Sequence, residues 1–439
     1  MDFELDQEAA ALLAAAGAVL DAEATPGLIR AAWPDGGQSL RPAGLEQIRK
    51  VWATLADQGV VGALVGEDDG GLGLDLGHAV PLLERLGYVG LPVPAVETIV
   101  HAAPLLAAAG HPALPDVLAG RALVAVGTVT AAGETLVPHG QQADLVILPE
   151  DHTGPPGGAL RVFAAGELAW EPVATVDGAR ALARLTAAPA DDAGAVLVRD
   201  PEAARAAADA AWWRASLGTS AVLVGLAARM LSITIAYVKQ RQQFGVPVGS
   251  FQAIKHALAS AHIAVEFARP AVLAAGWEQA HPDSPAAGLA AGPPRAARDA
   301  QAATDPGDDR DPRDDRDDRA ARDARDARDA RDARDARDAR DARDARDATS
   351  VAKVLAADAA RLAARASIQC HGAIAYTTEY DLHLFAKRAW ALIPAYGDPA
   401  WHRAHLARGL GLRDKAAGAG AGAAAGGGVG AGAAAAAAS

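Results

Sequence analysis

The stretch RQQFGVPVGSFQAIKH, Arg241 to His256, decides how the chain is read. It closes a long apolar run with a cation, passes through a Gly-Val-Pro turn and restarts a helical pattern for which Ser250 is the expected N-cap. A guanidinium beside such a turn can hold an anion. A second stretch, QCHGAIAYTTEYDLHLFAKRAW, Gln369 to Trp390, sets small residues directly after a helical pattern. Residues without bulk let backbone N–H groups approach a phosphate closely. Taken singly, both stretches also fit ordinary helix-turn-helix packing.

Working outward, apolar residues at three- and four-residue steps predict helices after Asp209: one ending near Gln243, one over Ser250 to Trp277, one over Ser350 to Cys370 and one from Asp381 to about Ile393. The segments LDQEAAALLAAAGAVLDAE, LEQIRKVWATLADQG, HAVPLLERLGYVG and VETIVHAAPLLAAAG give the first 118 residues the same character. Between them the runs RALVAVGTVT, ADLVILPE, ALRVFAAGE and AGAVLVRD are strand-like and broken by Gly, Pro and Asp. The expected architecture is α+β: an N-terminal helical domain (1–118), a middle β-domain of barrel or sandwich type (119–205) and a C-terminal four-helix bundle (206–292 and 349–415).

Two segments differ from this body. Residues 293–348 are low in complexity, ending in an uninterrupted Arg-Asp-Ala triplet repeat from Arg322 to Ala348, and 416–439 is an Ala/Gly tail. The repeat carries no large apolar residue and has no face to bury, so it is expected to be a solvated insertion between two antiparallel helices. Its 15 Arg and 18 Asp nearly cancel, leaving 26 Lys and Arg against 36 Asp and Glu elsewhere. Of the net charge of −13, −10 therefore belongs to the body, and this acidic balance argues against nucleic acid as a partner. A single cysteine, Cys370, cannot close an intrachain disulfide, and the N-terminus lacks a secretory pattern, so a cytoplasmic location is expected. Ala215 to Val238 is long enough to span a membrane but holds Arg229, so a buried core helix is the expected reading.

Together, in this order and layout, the two stretches resemble the acyl-CoA dehydrogenase family. Its R-x-x-F-G…F-Q pattern matches Arg241, Phe244, Gly245, Phe251 and Gln252; its Q-x-x-G-G-x-G…T-x-E pattern matches Gln369, Gly372, Thr378 and Glu379, with Ala373 and Ala375 in place of the later glycines. Val61 to Leu76, VGALVGEDDGGLGLDL, is similar to the turn after the family's third helix. The resemblance implies FAD held between subunits, with Arg241, Phe244, Gln252, Gln369, Gly372 and Ala373 as cofactor-binding residues. A planar guanidinium suits phosphate oxygens. It also implies an acyl-CoA substrate, an oligomer (dimer or tetramer) and an electron-transferring flavoprotein as a partner, and no metal.

The family's catalytic base is a Glu in one of two places. An ungapped count from Gln369 puts Tyr396-Gly397-Asp398 over Glu-Gly-Thr, and Tyr396 is a poor base because a phenol ordinarily titrates near pH ~10. The alternative position falls on Ala215, and no Asp or Glu occurs between Ala210 and Val238. Asp398 is the nearest carboxylate, but before Pro399 it is also a helix cap. His402 and His405 read as surface-helix residues. The family's T-E-P…G-S-D strand is replaced by GTVTAAGETLVPHG, Gly127 to Gly140. Some family members pair unlike subunits, of which one lacks a base, and this chain fits that role: α,β-dehydrogenation of an acyl-CoA with a second acyl-CoA dehydrogenase-type subunit. The alternatives are a self-sufficient enzyme using Asp398 and a binding or scaffold protein without flavin.

Overall fold

The computed structural model describes residues 5–33, 42–130, 133–149, 160–187, 189, 193–281 and 314–412, with side chains throughout except at 42 and 314–342. Helices α1 (Gln7–Glu23), α2 (Pro26–Ala31), α3 (Pro42–Asp57) and α4 (Leu76–Val89) open the chain, and their starts follow from the sequence. Asp6 accepts from the Ala9 N–H at 2.8 Å and Asp75 from the His78 N–H at 3.0 Å, satisfying donors that a helix N-terminus leaves free. A π-helix, Val96–Ala102, then leads into α5 (Ala103–Ala108) and α6 (Leu114–Leu118).

Eight short strands follow: β1 (Val124–Val126), β2 (Thr128–Val129), β3 (Thr135–Val137), β4 (Leu145–Pro149), β5 (Leu160–Ala164), β6 (Trp170–Pro172), β7 (Ala183–Leu185) and β8 (Ala195–Val198). They form two four-stranded sheets, ordered β1-β4-β5-β8 and β2-β3-β7-β6. The first is mixed, because β1 and β4 run parallel; the second is antiparallel throughout. Ala125, Val137, Val146, Leu148 and Phe163 make a small core of their own between them.

The bundle comprises α7 (Pro201–Gln240), α8 (Gln252–Ala280), α9 (Asp314–His371), α10 (Leu382–Leu392) and α11 (Pro399–Gly409), with a two-strand hairpin, β9 (Gln242–Gln243) and β10 (Val246–Pro247), between α7 and α8. Helix α7 begins on an Asp-Pro pair, Asp200 accepting from the Ala203 N–H at 2.8 Å. By length and apolarity both α7 and α8 could cross a membrane, but the most apolar window of α7 is 61% buried inside the protein, as the core-helix reading expects. Helix α8 buries only the stripe Leu258, Ala261, Val265, Ala268, Val272 and Ala275, one face at helical spacing. Much of the partner surface on α9 is alanine: Ala352, Ala356, Ala359, Ala360 and Ala363 are fully buried. Small side chains are what let long helices lie this close, and they account for a core with few aromatics.

Three expectations are corrected here. Helix α8 starts at Gln252 with Phe251 at its cap, because Ser250 is taken into a short 3-10 turn, Val248–Ser250. Helix α7 ends at Gln240 rather than near Gln243, the chain turning extended at Arg241 to pair β9 with β10. Most consequential, α9 begins at Asp314, well inside the Arg-Asp-Ala insertion, rather than at Ser350. The last triplets carry the inward stripe of the helix backwards: Ala345 is buried in line with Thr349 and Ala352, Arg346 pairs with Asp209, and Asp347 Oδ1 lies 3.1 Å from His405 Nε2. The end of the repeat is therefore part of the bundle. Residues 293–313 and the tail at 416–439 lie outside the described residues.

Helices α4 and α7 cross through two glycines. A Cβ on Gly225 would meet the Glu84 carbonyl oxygen at 2.0 Å, and one on Gly87 the Val222 carbonyl oxygen at 2.3 Å. Neither backbone oxygen can step aside. Gly225→Val should lower the free energy of unfolding by about 3 kcal/mol, the upper end for overpacking, read as a lower denaturant midpoint with an unchanged slope.

Candidate active site

Tyr396, which the ungapped count sets over the family's Glu, lies in the loop between α10 and α11 as a buried residue with φ +53°. Lys353, fully buried on α9, holds this loop by donating to the carbonyls of Leu392 at 3.2 Å and Ala395 at 2.7 Å. Burial, and then the charge of Arg180, push the Lys353 ammonium down to about 7. His402 clamps the loop from α11. Its Nε2 lies 3.1 Å from the Tyr396 carbonyl, which can only accept, so Nε2 carries the proton and Nδ1 accepts from the Ser350 hydroxyl at 3.0 Å. His402 is fully buried, correcting its reading as a surface-helix residue. His405 is half-buried, and no group of metal-ligand type occurs among the described residues.

The Tyr396 hydroxyl points at Glu97 Oε1, 3.5 Å away on the π-helix. Glu97 is buried, and burial pushes its carboxyl up despite the opposing charge of Arg180. Arg388 on α10 donates from Nε to Asp177 at 2.9 Å and from Nη1 to the carbonyls of Gly90 and Leu91, in a pair almost wholly removed from water. His139 and His101 complete the cluster; burial holds His101 down to about 3 and His139 well below the usual histidine range. Among the described residues, three of the four non-glycine residues with positive φ, His139, Ala181 and Tyr396, belong to or adjoin this cluster. Strained backbone and π-helical turns both concentrate at functional sites. The cluster encloses a cavity of only 40 Å³, lined by Glu97, His139, Asp177, Arg180, Thr219 and Arg388 among others.

Asp398 does not reach this interior. It is exposed and caps α11, accepting from the Trp401 N–H at 2.7 Å, the second Asp-Pro helix start in the chain. Asp398→Ala should cost about 1 kcal/mol of stability, measured by denaturant titration, and leave any turnover unchanged. Burial of histidines predicts a pH dependence. His101 and His402 titrate at about 3 and about 4 in the fold, against about 6.5 when unfolded, so the unfolded chain binds more protons between these values. Stability is full above pH ~6.5 and falls on acidification, by on the order of 3 kcal/mol for His402 alone. Denaturant midpoints from pH 7 to 4 should show the loss, and His402→Gln should flatten it.

The two segments to which the resemblance assigns the flavin lie elsewhere. Arg241, Phe244, Gln252, Gln369, Gly372 and Ala373 are all exposed, and the α7 and α9 ends that carry them are joined by Tyr237 stacking on His371 at 4.3 Å. Phe244 is 93% exposed at φ +53°, at the tip of the hairpin, with Phe251 edge-on at 6.1 Å. The Arg241 guanidinium has no protein partner among the described residues, while Gln252 Nε2 lies 3.4 Å from His256 Nε2. Gly372 has φ +64° and nothing within 4 Å of where a Cβ would stand, leaving its backbone open to approach. Of the two alanines replacing glycines, Ala375 is buried and only Ala373 faces outward. A free guanidinium, an open glycine and an exposed aromatic fit one half of a dinucleotide. Along α7 they stand about 33 Å from Thr219, at 1.5 Å per residue. A larger cavity of 440 Å³, lined by Leu74, Pro104, Trp213, Arg214, Glu278 and Arg346 among others, includes none of these residues.

Sequence reasoning missed Glu97, Asp177, Lys353 and Arg388. The available signal was a charge inside an otherwise apolar helical run, as in VETIVHAA and LHLFAKRAW.

Residues 202–305 and 325–411 match the profile of the acyl-CoA dehydrogenase C-terminal domain. The chain is 27% identical over 348 residues to acyl-CoA dehydrogenase IpdE2 of Mycobacterium tuberculosis, covering 77% of this chain and 80% of that one. It is 29% identical over 227 residues to the IpdE2 of Mycolicibacterium smegmatis, covering 51% and 64%. Among solved structures, the ChsE4-ChsE5 complex of Mycobacterium tuberculosis superposes with a TM-score of 0.66 at 20% identity, over 94% of this chain and all of that one. Butyryl-CoA dehydrogenase of Megasphaera elsdenii gives 0.66 at 17% identity, over 94% and 100%. Residues 202–305 and 325–411 thus carry an acyl-CoA dehydrogenase C-terminal domain, acyl-CoA dehydrogenase relatives extend over most of the chain and the fold is that of these enzymes, which together indicate an oxidoreductase acting on CH–CH groups.

Proposed function

We propose that the chain is one subunit of a heteromeric, FAD-dependent acyl-CoA dehydrogenase, which oxidises an acyl-CoA thioester to the 2,3-enoyl-CoA with a catalytic base from a partner subunit. The observation that carries this reading is the filled base position. Tyr396 is buried against Glu97, and 40 Å³ remains where a small-molecule site needs about 300 Å³ or more. A thioester cannot enter, and a phenol held in this apolar and acidic setting is pushed well above its usual range, by burial first and by Glu97 next. Tyr396 therefore holds its proton.

The exposed segments support a half-site offered to a neighbour. Arg241 would pair with the pyrophosphate of FAD, Phe244 would cover its adenine end, and Gln369 and the open backbone at Gly372 would line the dinucleotide from the other side. Bound there, FAD supplies the acceptor for the β-hydride. The chain's own residues would anchor and orient the dinucleotide. An apolar surface suited to a partner runs over α8 and α9, where Ile263, Phe267, Val351, Leu355 and Leu362 are exposed. The ChsE4-ChsE5 structure is itself a two-chain complex. A reducing-equivalent carrier of the electron-transferring flavoprotein type and a cytoplasmic location complete the reading.

A second reading rests on Glu97, a buried carboxylate with a raised pKa, the tuning a general base requires at neutral pH. It needs Tyr396 to swing out. Co-expression with the cell's other acyl-CoA dehydrogenase chains distinguishes the two: the heteromer reading expects a complex of unlike subunits with one flavin per pair. A homo-oligomer with one flavin per chain would favour Glu97, and Glu97→Gln would then abolish turnover.

A further inference from the structure

We propose that the cavity between Arg180, Arg388 and Thr219 is a binding site for one small monovalent anion of chloride size. Three buried polar atoms converge there without a hydrogen-bond partner: Arg180 Nε, Arg388 Nη2 and Thr219 Oγ1. Each carries a proton it can donate. Buried donors of this kind are almost always satisfied, so an occupant is called for.

Charge selects its sign. Arg388 is matched by Asp177, whereas Arg180 forms no ion pair among the described residues and spends Nη1 on the Ala391 carbonyl. Glu97 lines the same cavity, and burial pushes its carboxyl up, disfavouring the charged form that would compete with an anion for Arg180. Size selects the class. The 40 Å³ admits a halide ion or on the order of three waters, and excludes a thioester. An anion here would pin α7, α10 and the segment at Arg180 together, keeping Tyr396 inward and the base position shut. The site rests on the closed pocket of the proposed function but is independent of flavin and partner, so its test is too.

The test uses the full chain without flavin. Unfolding midpoints are measured against sodium bromide and sodium chloride, with sodium glutamate holding ionic strength constant as an anion too large for the cavity. A saturable, halide-specific rise is expected, since a ligand bound only by the folded state stabilises by mass action. Crystals soaked in bromide should give an anomalous peak within hydrogen-bond distance of Arg388 Nη2 and Thr219 Oγ1. Thr219→Val, which keeps shape and removes the donor, should weaken halide affinity at least tenfold. Thr234→Val, on the same helix but with its hydroxyl on the Met230 carbonyl, should leave that affinity unchanged. No saturable halide effect, or a cavity holding only water in bromide-soaked crystals, overturns the proposal. Equal loss in Thr219→Val and Thr234→Val overturns it as well.

Discussion

Asp177→Ala is expected to lower the stability of the body by about 3–5 kcal/mol, the cost of leaving one member of a buried ion pair uncompensated. Asp177 is 1% and Arg388 7% exposed, so water cannot replace the lost carboxylate. Arg388 would keep its bonds to the Gly90 and Leu91 carbonyls, which carry only partial charge. Its Nη2 already lacks a protein partner. Asp177→Ala combined with Arg388→Met removes both charges and should recover most of the loss, because the penalty belongs to the unpaired ion rather than to the pair. Denaturant midpoints of the four chains measure this; a double variant as unstable as the sum of the singles would mean that the two side chains act independently and that no unpaired-ion penalty exists.

Arg241→Ala is expected to cut FAD binding by the assembled complex at least tenfold, about 1.4 kcal/mol, and to leave the fold untouched. The second half of that statement comes from geometry: the guanidinium is exposed and makes no hydrogen bond or ion pair among the described residues. Arg241→Lys should fall between, since an ammonium keeps the charge and loses the bidentate fork. Flavin content per complex and the unfolding midpoint of the free chain are the two readouts. Loss of stability without loss of flavin would make Arg241 a structural residue.

The helices and the C-terminal domain were legible because their signals are local. Apolar spacing, the Asp398-Pro399 start and the Arg241–Gln252 and Gln369–Glu379 patterns each lie within a dozen residues or so, whereas the Asp200-Pro201 start of α7 lies ahead of the expected start after Asp209. The α+β layout followed from them. The interior cluster was not legible because its members are far apart in sequence: Arg388 and Asp177 are separated by 211 residues and Tyr396 and Glu97 by 299. Only the packed bundle brings them together. VETIVHAA reads as an ordinary helix, and nothing in its composition announces the π-helical winding that turns both Glu97 and His101 inward. The repeat misled for a different reason. Arg-Asp-Ala triplets have no apolar face in isolation, yet the last of them inherit a buried stripe from the helix they join, so Ala345 packs where a solvated linker was expected. Asp398 reads in the sequence first as a helix cap and only in the alternative as a base, and its exposed bond to the Trp401 N–H gives it to the cap.

The central claim is that this chain carries half a flavin site and no usable base. The most direct measurement is anaerobic flavin reduction: the chain alone, saturated with FAD, is mixed with acyl-CoA, and bleaching of the flavin's visible band is followed beside the same experiment on the complex with its partner. The account predicts bleaching in the complex and none in the chain alone. Stoichiometric bleaching by the chain alone would contradict it.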